Sequence, residues 1–155
     1  MIRMYTVTLC LVVTISTFAL PSDPDQPFMQ AALNNLKDAR KSLDKATADK
    51  GGHRANAIDL VKNAINAVND GIAWDRSHTG PRGRNESVNG DFDATTFSWA
   101  DQPNMVKARE HLQDALANLR KASADKGGYR ERAIGLTQDA INQVNAGIEY
   151  DRTHH

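Results

Sequence analysis

The apolar residues of one early segment are Met29, Ala32, Leu36, Ala39, Leu43 and Ala46. They alternate in steps of three and four, which places all six on one stripe of an α-helix and misses the two-residue period of a strand. The same spacing returns at Met105, Ala108, Leu112, Ala115, Leu119 and Ala122. A broader pattern follows the first stripe. From about His53 to Trp74, Ile58, Val61, Ile65, Val68 and Ile72 form one seam, and Ala57, Leu60, Ala64, Ala67 and Gly71 form a second beside it. Two adjacent seams make a face too wide for one partner helix. One seam is expected to meet the neighbouring helix and the other a second pair of helices, which its small residues let come close. The later copy of that second seam reads Ala133, Leu136, Ala140, Gln143 and Gly147, weaker at Gln143.

Boundary residues agree with these helices. Asp25 and Asp101 stand where an N-cap belongs, since a carboxylate there accepts from first-turn amides and suits the positive helix end. Pro27 and Pro103 fall in the first turn, where a missing N–H costs nothing. Gly51-Gly52 is expected to stop the first helix, because glycine readily takes the left-handed exit conformation. Helices of similar length, roughly 22 residues or about 33 Å, joined by a short turn give an antiparallel hairpin.

The hairpin occurs twice. Position i matches position i+76 at 29 of the 53 positions from Gln26 to His78, without a gap. The predicted fold is therefore all-α: two tandem antiparallel helical hairpins packed as a four-helix bundle. Two separate hairpins that each pair with another chain are the alternative. Residues 20–78 form the first repeat and residues 101–155 the second. Residues 79–100, rich in Gly, Asn and Asp, read as a linker; its length is unusual for a compact domain, and Phe92, Phe97 and Trp99 offer it docking points.

Residues 1–19 read as a secretory signal peptide. Arg3 precedes an apolar run, and Thr17-Phe18-Ala19 supplies small residues for cleavage after Ala19. The expected location is outside the cell, or in the periplasm of a bacterial host, with no membrane span after cleavage. Lys plus Arg and Asp plus Glu number 19 each, and the leader holds only Arg3, so the rest carries 18 against 19. That balance gives no long-range pull toward nucleic acid. The one cysteine, Cys10, lies in the leader, so the processed protein is expected to have no disulfide and no thiolate chemistry.

Candidate chemistry sits at the turns. Asp49, Lys50, Gly51, Gly52, His53 and Arg54 recur as Asp125, Lys126, Gly127, Gly128, Tyr129 and Arg130. Glycine amides at a helix start beside cations describe an anion site; a tight capped turn is the other reading, in which Asp49 accepts from the next helix or pairs with Arg54. Asp75-x-x-His78 and Asp151-x-x-His154 have a spacing that a divalent metal can bridge, against which stand the adjacent Arg76 and Arg152. Trp74 and Tyr150 hold matching positions suited to packing on a loop or partner helix. Asn66, Asn69, Asn142 and Asn145 lie off the seams and are expected to face solvent or to bond near the helix ends. Asn85-Glu86-Ser87 is a glycosylation sequon in an exposed setting. No nucleophile–base pair, phosphate loop or inward glutamate set is present, and Glu110-His111 has no mirrored partner. The chain is read as a non-enzyme with no cofactor and no metal.

Each copy resembles a group of short exported bacterial helical proteins of uncharacterised function. The likeness rests on Asp25-Gln26-Pro27-x-Met29-x-x-Ala32-Leu33, on Asp49-Lys50-Gly51-Gly52-His53-Arg54, and on Ala57-Ile58 through Gly71-Ile72. It covers both hairpins and not the linker, and the second copy departs from it at Tyr129. The resemblance implies a small helical exported module and carries over no catalytic residue. The function expected is a secreted binding or structural module with an unknown protein partner. The alternative is a small-ligand or metal binder using the turns or the Asp/His helix ends.

Overall fold

The computed structural model describes residues 25–48, 50–78, 101–123 and 127–154. The predicted signal peptide, the linker with Asn85, and Asp49, Asp125 and Lys126 of the turns lie outside the described residues, as do the side chains of Asp25 and Asp101. The described residues form four α-helices: α1 (Asp25–Lys45), α2 (His53–His78), α3 (Asp101–Lys121) and α4 (Tyr129–His154).

The predicted stripes face inward. All six residues of each first stripe are buried, with Leu36, Leu43, Leu112 and Leu119 sealed completely. In α2 both seams join the same core, with only Leu60 and Ile65 half-buried. Val61 is replaced in the second copy by Thr137, which is fully buried and donates its hydroxyl back to the Ala133 carbonyl at 2.7 Å. The hydroxyl is thus satisfied in a place that offers it no water. Asn66, Asn69, Asn142 and Asn145 are all exposed.

The four helices close into one bundle. The closest packing is between equivalent helices of the two hairpins, α1 on α3 and α2 on α4, rather than between the helices that each turn connects. The buried residues of both hairpins form one shared core. Gly147, in the small-residue seam of α4, marks one close approach. A Cβ built there would stand 2.8 Å from the Met105 methyl and 3.4 Å from the His53 Cβ. Gly135 is different, since it is exposed in mid-helix with open space around it. Gly135→Ala is expected to raise stability by about 0.5–1 kcal/mol through backbone entropy alone, read from the urea midpoint of unfolding.

Two expectations need correction. The helices are unequal: α1 and α3 have 21 residues, whereas α2 and α4 have 26. The longer helices carry Trp74–His78 and Tyr150–His154 past the end of the core and onto the opposite turns. The glycines also do not end α1, which stops at Lys45, six positions before Gly51 pulls the chain round. The reason lies in the carbonyls of its last turn. Leu43 O and Asp44 O accept from the Arg54 side chain, at 2.7 and 3.1 Å, so these acceptors serve the returning helix.

Candidate functional site: the glycine turns and the helix ends above them

Each turn is shaped by two consecutive glycines with positive φ: Gly51 (57°) and Gly52 (78°), Gly127 (59°) and Gly128 (79°). Side chains rarely adopt this conformation, which is why glycine stands at both places in both copies. The peptide at Lys50 folds tightly, its N–H donating to Ala48 O and its carbonyl accepting from His53 N, both at 3.0 Å. Gly52 O and Gly128 O then accept from Asn56 N and Arg132 N, which starts α2 and α4.

Arg54 and Arg130 perform the same task. Each donates Nε to a carbonyl of the preceding helix, Leu43 O or Leu119 O, both at 2.7 Å, and a terminal nitrogen to the next carbonyl. A guanidinium has the planar fork this requires, and its charge suits the negative helix end. Arg54→Ala is expected to cost about 1–2 kcal/mol, and Arg54→Lys nearly as much, because lysine keeps the charge but not the fork. Urea denaturation of the two variants checks this.

In sequence Lys50 and Asp151 belong to different candidate sites, an anion-binding turn and a metal-binding helix end. The structure joins them to each other. Lys50 Nζ donates to Asp151 Oδ2 at 2.5 Å, and both side chains are more than nine-tenths buried. Asp151 occupies the last turn of α4, where a carboxylate opposes the helix dipole, and the buried ammonium from the opposite hairpin offsets that cost. Its counterpart Asp75 is buried in the same way. Next to the ion pair, His53 Nδ1 donates to Gln143 Oε1 at 2.9 Å, again from one hairpin to the other.

An aromatic ring covers each glycine turn. Tyr150 lies against Gly51, where a Cβ would stand 2.8 Å from the ring, and Trp74 lies against Gly127, where it would stand 2.9 Å away. The outer ring faces carry imidazoles, His154 on Tyr150 at 4.0 Å and His78 on Trp74 at 4.1 Å between centroids. The Nδ1 atoms of these histidines sit 2.9 and 2.8 Å from Tyr150 O and Trp74 O. Each Nδ1 also lies within hydrogen-bond reach of a neighbouring hydroxyl, Ser77 Oγ at 2.9 Å or Thr153 Oγ1 at 2.8 Å, so the imidazole joins the polar groups that close its own helix end. The Asp-x-x-His spacing thus brings an aspartate and a histidine to one helix end and uses them differently, the aspartate inside and the histidine outside.

Comparison with protein-family models, with curated proteins and with solved structures gives no match.

Among the described residues, no three His, Cys, Asp or Glu side chains are grouped to hold a metal ion, and no helix is long and apolar enough to cross a membrane. The sequence marks the turn residues but not their partners, Gln143 and Asp151 across the bundle. Two signals pointed that way. Asp75 and Asp151 fall in phase with the buried seams, four residues after Gly71 and Gly147. The two copies also differ together, with His53 and Gln143 set against Tyr129 and Ala67.

Proposed function

We propose that the protein is an exported, non-enzymatic helical module that binds or spaces a protein partner outside the cell, or in the periplasm of a bacterial host. The observation that carries this reading is the use made of the turn residues. Lys50, His53, Arg54 and Arg130, the groups best suited to bind an anion or assist a reaction, are directed to Asp151, Gln143 and backbone carbonyls. Their chemistry supports the fold and leaves the outer helix faces for recognition. The leader-like residues 1–19 and the resemblance to exported helical proteins support the location.

Two measurements test the proposal. Sequencing the N-terminus of protein recovered from the medium should give Leu20, and recovery with Met1 in place contradicts export by cleavage. A melting series with zinc, copper and inorganic phosphate should leave Tm unchanged. A rise that grows with the additive concentration signals binding to the native state and replaces the partner module with a small-ligand or metal binder.

A further inference from the structure

The interface between the hairpins has two halves that are not alike. Asn104 donates to Lys45 O at 3.3 Å and sets the antiparallel register of α1 on α3. Leu33 lies twelve residues before Lys45 and Leu116 twelve after Asn104, so counting from that contact brings them to the same level of the helix pair, and both are buried in the shared core (5% and 6% exposed). Arg40 lies five before and Arg109 five after, in the mirror position. Arg40 is exposed beside Asp44 and Arg109 is half-buried, so neither charge is sealed in the core.

In the 76-residue repeat Leu33 corresponds to Arg109, and Arg40 to Leu116. A bundle made of two first hairpins would set Leu33 against Arg40 at both positions, and one made of two second hairpins would set Arg109 against Leu116 twice. Only the mixed pairing puts leucine on leucine. The α2·α4 side discriminates in the same sense. Two first hairpins would offer His53 the methyl group of Ala67 in place of the Gln143 carbonyl oxygen. Features common to both copies, the Lys-Gly-Gly turn and the Gly-Ile-x-aromatic-Asp helix end, allow hairpins to pair. Features that differ select which pair forms, by disfavouring the alternative as well as favouring the match.

We infer that each hairpin is a recognition surface for the hairpin of the other kind, and that the first hairpin takes the second hairpin of another copy of this chain in preference to another first hairpin. In the intact chain this surface is filled by the chain's own other half.

The test starts from the full chain with a protease site placed within residues 79–100 and cut after folding. One preparation carries an affinity tag after His155, and the other is isotopically heavy. They are mixed in equal amounts, exchanged in mild denaturant, diluted, captured on the tag and weighed. The tagged second hairpin should retain first hairpins, about half of them heavy, as random exchange requires. Heavy second hairpins should be at least about tenfold scarcer, since burying one leucine face is worth that factor or more. Equal capture of both kinds overturns the inference, as does a tagged hairpin that elutes alone. The double variant Leu33→Arg with Arg40→Leu gives the first hairpin the pattern of the second, and the preference should fall several-fold. An unchanged preference also overturns the inference.

Discussion

Replacing Lys50 with alanine should lower the free energy of unfolding by about 3–5 kcal/mol, because it leaves the Asp151 carboxylate buried without its ammonium partner. That loss is a large fraction of the total stability expected for a domain of this size. Asp151→Ala should cost a similar amount by stranding the lysine. The double variant Lys50→Met with Asp151→Leu should recover most of either loss, since a well-packed apolar pair can replace a buried ion pair at little net cost. The effect should also persist at high salt, because mobile ions screen a buried pair weakly. Urea denaturation of the four proteins measures all of this. A Lys50→Ala loss under about 1 kcal/mol, the range of exposed ion pairs, contradicts the placement of this pair.

The two glycines of the first turn should respond very differently to the same substitution. Both have positive φ, so alanine at either should cost about 1–2 kcal/mol in backbone strain. At Gly52 nothing else opposes the new methyl group, since the space around it is open. At Gly51 the methyl would meet the Tyr150 ring at 2.8 Å, and overpacking should add about 1–3 kcal/mol. The difference between the variants therefore measures the contact between hairpins, with the strain common to both removed. In a Tyr150→Ala background that difference should vanish. A difference that survives the loss of the ring places its cause elsewhere in the turn.

The helices were legible because the information for them is local and periodic. Leu36, Ala39 and Leu43 fix the buried face of α1 whatever lies opposite. The partners of the turn were not, because Lys50 and Asp151 are 101 residues apart, and nothing local tells a buried lysine from one offered to an anion. The early end of α1 was hidden for a related reason. Propensity and the Gly51-Gly52 pair carry the helix forward, but Arg54 takes the last carbonyls from the next helix. The length of α2 was underestimated because its apolar seams end at Ile72. Beyond them Trp74 packs on Gly127 of the opposite turn, a contact that no continued apolar stripe announces.

Each helix end locks onto the opposite hairpin's turn and so closes the two hairpins into one bundle. Nuclear Overhauser spectroscopy on the processed protein reads that contact directly. Cross-peaks are expected from the Tyr150 ring protons to the Gly51 α-protons and from the Trp74 indole to those of Gly127. Ring protons that report only on neighbours within their own hairpin would contradict it.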